Sequence, residues 1–324
     1  MSITAVAYPN IALIKYWGKR DETFNLPATG SLSMTLDVAP TRTTVTLAPG
    51  ADDDVATWRG EAMSGDDLTR VRSFLDLVRE LAGSRVRAVV ETANEMPTGA
   101  GLASSASGFA ALAAAASGAY GLDLSERDLS RLARRGSGSA ARSVFGALVQ
   151  WHVGRDDASS YAEPLPASAL ELALVVAVLS PGRKPVGSRE AMRRTAATSP
   201  FFPAWVASVP AELEAMRRAI ADADFGAVGE LAEANALRMH ATMLGAAPPV
   251  RYWNADTVAA LDLVAQLRAD GVPAYATMDA GPNVKVLCRP SDTAAVTERF
   301  AGAFEGVDLL IAGPGPGVRV ESTR

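Results

Sequence analysis

The stretch Pro97-Thr-Gly-Ala-Gly-Leu-Ala-Ser-Ser-Ala-Ser-Gly108 runs directly into an alanine-rich segment that ends at Ala116. Gly99 and Gly101 allow a tight turn and close approach of a ligand, and the alanines behind them favour a helix. Ser104 and Ser105 therefore fall at a helix start. Free N–H groups of a first turn and the positive end of the helix dipole attract an anion there. The serine hydroxyls can add contacts to phosphate or to a metal ion. No lysine stands where a Walker loop needs one. Gly99-x-Gly101-x-x-Ser104 imitates a dinucleotide fingerprint, and Asp123 lies about 20 residues on. Gly121-Leu-Asp-Leu-Ser125, however, reads as a turn into a new helix rather than a strand end. By itself the stretch also fits a Gly/Ser linker ahead of an alanine-rich helix.

The flanking sequence supplies the order strand, loop, helix that an anion site requires. Val86 to Glu91 reads as a strand entering the glycine turn. Before it, Leu68, Val71, Phe74, Leu75, Val78 and Leu81 recur at helical spacing behind a start near Ser64 to Asp67. Residues 3–8 read as a strand, and Ser31 to Leu47 as a longer one broken near Pro40 into a hairpin. Between them Asn10 to Asp21 reads as an unusual loop, with Lys15, Lys19 and Arg20 and two aromatics, Tyr16 and Trp17, packed around Gly18. It fits an anion-binding turn and equally an exposed turn with an aromatic anchor.

Downstream, Ser125-Glu-Arg-Asp128 has capping-box spacing before a helix. That helix leads to a second small-residue loop, Arg135 to Gly146, in which Arg142 can fork onto a carboxylate or phosphate. Leu170 to Leu179 reads as a buried strand. The basic turn from Pro181 to Arg189 is the best boundary, dividing the chain into 1–182 and 183–324. Helices reach to Gly271, with Pro200, Pro203 and Pro210 breaking the first part and Asn254 to Arg268 forming another helix. Strands at 274–279, 283–288 and 307–312, a helix near 292–304 and a Gly/Pro tail complete the chain, two helices against an antiparallel sheet. Asp279 ends a strand just before Gly281 and suits either the mouth of a cleft or a turn aspartate capping its own backbone.

Composition narrows the function classes. The chain has 324 residues, 48% hydrophobic and 21% charged, with a formal net charge of -5, so no basic excess points to nucleic acid. One cysteine, Cys288, excludes an internal disulfide framework, and it reads as a core residue. His152 and His240 show no ligand spacing and read as structural. The N-terminus lacks a signal-peptide pattern, so a cytoplasmic protein without membrane or nucleic-acid partners is expected.

Four segments together resemble one family. Tyr8 to Asp21, Pro97 to Gly108, Gly136 to Gly146 and Met278 to Lys285 are similar to motifs of diphosphomevalonate decarboxylase, of the GHMP kinase superfamily, and occur in that family's order. The resemblance implies an α+β fold of two domains sharing an active-site cleft, the second ferredoxin-like, and usually a homodimer. It implies that ATP, with Mg²⁺, phosphorylates the tertiary 3-hydroxyl of mevalonate 5-diphosphate, after which phosphate and carbon dioxide leave to give isopentenyl diphosphate. Carried over by position, Asp279 would meet the 3-hydroxyl, Lys15 would sit beside it, and Arg142 would hold the substrate carboxylate. Tyr16, Lys19, Ser137, Ser139, Ser188 and Arg189 would bind the substrate diphosphate and its neighbouring groups. Gly99, Gly101, Leu102, Ala103, Ser104 and Ser105 would hold ATP, with Ser105 on the metal. Rival readings are a phosphomevalonate decarboxylase, a mevalonate-type kinase of the same superfamily, a NAD-dependent dehydrogenase and a non-catalytic nucleotide-binding module.

Overall fold

The computed structural model describes residues 1–94, 104–166, 169–180 and 186–321. One half carries a six-stranded sheet in the order β16 (Arg319–Glu321), β1 (Ser2–Ala7), β6 (Thr41–Ala48), β9 (Arg87–Asn94), β7 (Val55–Trp58) and β8 (Glu61–Ala62). All its pairings are antiparallel except β7 with β9. A second sheet runs β11 (Ala162–Pro164), β10 (Leu148–Trp151), β5 (Ser31–Thr35), β2 (Asn10–Ile14). A short pair, β3 (Lys19–Asp21) with β4 (Leu26–Pro27), stands beside it.

Strand β6 alternates as a half-buried strand must. Thr41, Thr43 and Val45 are buried, and the Thr44 hydroxyl meets that of Thr4 at 2.8 Å across the ladder. Helices α1 (Gly65–Ala82), α2 (Ser104–Ala119) and α3 (Glu126–Gly136) cover this half, followed by a 3₁₀ segment at Gly138–Val144. Ser125 caps α3 as its spacing predicts, accepting from the Asp128 N–H. Helix α2 has no polar face: Ala106, Ala110, Ala111 and Ala113 to Ala116 are all buried. Such a helix belongs inside the core, where small side chains let its backbone approach the sheet.

The other half holds β13 (Tyr275–Thr277), β14 (Val284–Cys288), β12 (Ala173–Val178) and β15 (Asp308–Ala312), side by side in that order and antiparallel throughout. In chain order this is 2-3-1-4, the split βαβ arrangement of ferredoxin-like domains. Strand β12 is buried on both faces. Leu174, Val176 and Val178 join one apolar cluster, while Ala173, Val175 and Ala177 join another with α7 (Ala255–Ala269) and α8 (Thr293–Ala303). The first cluster also takes in Ile11, Leu13, Ile14 and Trp17 of the amino-terminal half. It includes α4 (Ser188–Thr198), α5 (Phe202–Ala221) and α6 (Phe225–Leu244) as well. One continuous core therefore fixes the two halves against each other.

Four local expectations change. Ser31 to Leu47 is not a hairpin: β5, buried on both faces, pairs with β2 and β10, whereas half-buried β6 pairs with β1 and β9. The chain crosses between sheets near Ala39, which adopts φ 55°. Residues 10–14 form a fully buried strand rather than part of a loop. Pro210 lies inside α5, whose buried stripe Trp205, Val209, Met216 and Ile220 outweighs one missing hydrogen bond. The glycine-rich tail returns to the first sheet as β16. The boundary expected at 182/183 lies outside the described residues.

Candidate active site

Where β2 ends, its ladder with β5 shifts register between Ala12 and Ile14, and Lys15 follows. Such a bulge re-aims the side chain beyond it. The Lys15 backbone N–H donates to Asn235 Oδ1 at 2.7 Å, and its Nζ lies 2.9 Å from Asp279 Oδ1. Asp279 sits in the turn after β13, closed by the Gly281 N–H donating to its carbonyl at 2.8 Å. Its other carboxylate oxygen faces Lys285 Nζ at 3.5 Å. Alternation along β14 sends Val284, Val286 and Cys288 into the α7/α8 core, which leaves Lys285 on the face turned to the first half. Both lysine side chains are 1% exposed and the Asp279 side chain 26%, so of the three only Asp279 is partly open, although its Oδ2 is buried. Burial draws the Lys15 ammonium down to about 8, against the opposing pull of Asp279.

Arg142, in the 3₁₀ segment, is buried with its guanidinium spread over two partners. Nε and Nη2 donate to Asn10 Oδ1 at 3.2 and 3.0 Å, and Nη1 donates to Ser31 Oγ. Asn10 in turn donates to Ser143 Oγ at 2.8 Å and to the Ser139 carbonyl at 3.0 Å. Burial lowers Arg142 to about 10, with Asp279 and then Tyr16 opposing. The Tyr16 ring packs on Trp151, centroids 4.8 Å apart, and its hydroxyl reaches over Gly138. A Cβ at Gly138 would stand 2.7 Å from that hydroxyl, which explains the glycine. The hydroxyl is buried and has no hydrogen-bond partner among the described residues, and burial raises its pKa.

A second group of cations lies alongside. Burial lowers the pKa of Lys19, Glu22 opposes, and Arg189 and Arg70 lower it further. Arg70, on α1, is lowered by burial and then by Arg189, and stacks 4.9 Å over Phe109. Arg189 donates to the Gly136 carbonyl at 3.1 Å, tying the start of α4 to the end of α3. Ser188 is the first residue of α4. The Ser137 hydroxyl lies 3.4 Å from both Ser105 and Ser139, a hydroxyl row leading from α2 to the 3₁₀ segment.

The structure thus gathers Lys15, Arg142 and Asp279 in one cluster, with Tyr16, Lys19, Arg189, Ser105, Ser137 and Ser139 beside it. Gly99, Gly101, Leu102 and Ala103 lie outside the described residues, as does the side chain of Ser104. Sequence reasoning missed Lys285, Asn10, Asn235, Ser31 and Arg70. Asn10 and Lys285 carried a usable signal: each is a polar residue set in an otherwise apolar strand, where burial demands a partner.

Chemically the site pairs one partly open carboxylate with buried cations and adds a second patch of positive charge with hydroxyls. Such an arrangement suits a polyanionic ligand. Among the described residues no group of three His, Cys, Asp or Glu forms a metal site, and no helix is long and apolar enough to cross a membrane. A hard cation here would take its oxygens mainly from phosphates and water, which Mg²⁺ tolerates, with the exposed Ser105 hydroxyl as a protein ligand.

Two family models match the chain. The diphosphomevalonate decarboxylase-like N-terminal domain covers residues 7–162, and the mevalonate 5-diphosphate decarboxylase C-terminal domain covers 174–311. A phosphomevalonate decarboxylase of Haloferax volcanii is 36% identical over 97% of this chain and 96% of its own. A diphosphomevalonate decarboxylase of Aspergillus fumigatus is 40% identical over 93% of this chain and 83% of its own. The solved complex of MDDEF with MVAPP, AMPPCP and magnesium superposes with a TM-score of 0.96 at 47% identity, covering 100% of this chain and 99% of that one.

Proposed function

The chain belongs to the diphosphomevalonate decarboxylase family, and we infer that its cleft performs the ATP-dependent decarboxylation of mevalonate 5-diphosphate to isopentenyl diphosphate, ADP, phosphate and carbon dioxide. The observation that carries the residue assignments is the Lys15–Asp279 pair, whose half-buried carboxylate lies with Arg142 in one cluster beside the cations Lys19 and Arg189.

Asp279 receives the hydrogen bond of the substrate 3-hydroxyl and orients its oxygen for in-line attack on the γ-phosphate. Lys15 and Lys285 flank the Asp279 carboxylate, one on each oxygen, and fix its orientation; the hydroxyl proton passes to Asp279 as the new P–O bond forms. Arg142, already held in place by Asn10 and Ser31, aligns the substrate carboxylate. When the 3-phosphate departs with the C–O electrons, carbon dioxide is lost and the C–C electron pair becomes the new double bond. Groups that act on the charge growing in that step raise the rate. Tyr16, Lys19, Ser137, Ser139, Ser188 and Arg189 bind the diphosphate. Gly99, Gly101, Leu102, Ala103, Ser104 and Ser105 hold the ATP phosphates, with Ser105 a ligand of Mg²⁺, which supplies charge neutralisation on the phosphate oxygens when bound.

The Haloferax relative bears the name of a monophosphate enzyme. The grouping of Lys19, Arg189 and Arg70 supports the diphosphate here, because more cations gather beside the hydroxyl row than one phosphate needs. The test mixes the protein with ATP, Mg²⁺ and mevalonate bearing zero, one or two 5-phosphates, and follows carbon dioxide, ADP and phosphate. The diphosphate should give the highest kcat/KM with equal yields of all three products. ADP without carbon dioxide would identify a simple kinase. We also propose a homodimer, as the family resemblance implies, in the cytoplasm.

A further inference from the structure

Helix α6 passes behind both members of the central ion pair and contacts both β2 and β13. Two of its fully buried polar side chains end on the backbone of those two members. Asn235 Oδ1 accepts from the Lys15 N–H at 2.7 Å, while Asn235 Nδ2 donates to Glu212 Oε2 at 2.5 Å. Glu212, itself buried on α5, accepts from Arg238 at 2.9 Å, so the amide is held from behind. Five residues on, the His240 ring hydrogen-bonds to the backbone of Asp279 and packs against Trp253 with centroids 5.1 Å apart. His240 is 2% exposed, and its Nε2 has no partner among the described residues. The bond to Asp279 therefore uses Nδ1. Burial, reinforced by the nearby Lys15, draws His240 down to about 3, so the imidazole is neutral at working pH. A neutral ring pairs with a carbonyl only through its protonated nitrogen, which places the proton on Nδ1.

We infer that Asn235 and His240 are positioning residues, through which helix α6 fixes the backbones of Lys15 and Asp279 and so sets where the Asp279 carboxylate meets the substrate hydroxyl. The two anchors are separated by about 7.5 Å of helix rise, a stiff spacer between strands from opposite halves of the chain. Neither side chain needs to touch substrate. A shift of about 1 Å in a reacting group costs on the order of 100-fold in rate. The inference rests on the decarboxylase reading above.

Three variants of His240 test it. His240→Phe keeps the ring beside Trp253 and removes the donor. His240→Asn places an N–H where Nδ1 lies, and His240→Gln places one where Nε2 lies. Steady-state kinetics with ATP, Mg²⁺ and mevalonate 5-diphosphate, together with thermal unfolding of each variant, should show kcat falling at least tenfold for phenylalanine and glutamine. The KM for ATP should stay within threefold. Asparagine should restore kcat to within threefold of the parent. A phenylalanine variant with parental kcat, or an asparagine variant as slow as the glutamine one, overturns the inference. So does a parallel loss of kcat and ATP affinity. Should the phenylalanine variant fail to fold, the asparagine and glutamine pair decides alone. A parent protein that releases no carbon dioxide would instead overturn the decarboxylase reading.

Discussion

The Lys15 ammonium and the Asp279 carboxylate meet at 2.9 Å across 264 residues of chain. One comes from the end of a bulged strand in the first half, the other from a turn in the second. An ion pair so placed does two things: it offsets part of the cost of burying Lys15 and ties the two halves of the chain together at the cleft.

Asp279→Asn keeps shape but loses the acceptor charge and the ability to take a proton. Turnover is expected to fall by roughly 10² to 10⁴-fold. ATP affinity should change little, because Asp279 is assigned to the substrate hydroxyl and to none of the nucleotide-binding groups. Single-turnover ADP formation and equilibrium nucleotide binding, measured on the same sample, check both halves; near-parental turnover would remove the assignment.

Since Lys15 carries a pKa of about 8, kcat/KM should decline as pH rises through that value, when the ammonium beside Asp279 loses its proton. Stability moves the other way. The folded value lies below that of an unfolded lysine, near 10.4, so the unfolded chain binds more protons between the two, and this group's contribution to stability rises with pH there. Loss of activity without loss of Tm is the expected signature. Lys15→Arg, which stays charged, should move the alkaline limb upward even if its maximum falls.

Removing the guanidinium in Arg142→Ala strips Asn10 Oδ1 of its donors and takes the forked group away from the substrate carboxylate. An unsatisfied buried acceptor costs about 1–3 kcal/mol, so Tm should drop. Beyond that, kcat should fall more than nucleotide affinity. An equal loss of ATP binding would contradict its place beside the carboxylate.

Lys19→Ala and Arg189→Ala should act mainly on KM for mevalonate 5-diphosphate and should narrow the preference for diphosphate over monophosphate. Each removes one cation from a group whose members already repel one another. Competition between the two substrates, read at two ionic strengths, would reveal the change; an unaltered preference would place the diphosphate elsewhere.

Local pattern carried much of this protein into view. The period-3.6 spacing of α1, the capping serine of α3 and the apolar run of β12 were legible because the forces that set them act within a few residues. The residue types of the site were legible too: Lys15, Arg142 and Asp279 stand in motifs that resemble one family. What no window of sequence decides is pairing at a distance. The hairpin expected at Pro40 dissolved because β5 and β6 face different cores, and Lys285 passed as part of an apolar strand because only packing shows which face it occupies. Sequence by itself determined many of the helices and strands, though not β2, β16 or the continuity of α5 through Pro210, and which side chains can handle phosphate. Only the tertiary structure decided that Lys15, Lys285 and Arg142 converge on Asp279, because burial, and with it charge pairing and pKa, depends on neighbours the chain brings from hundreds of residues away.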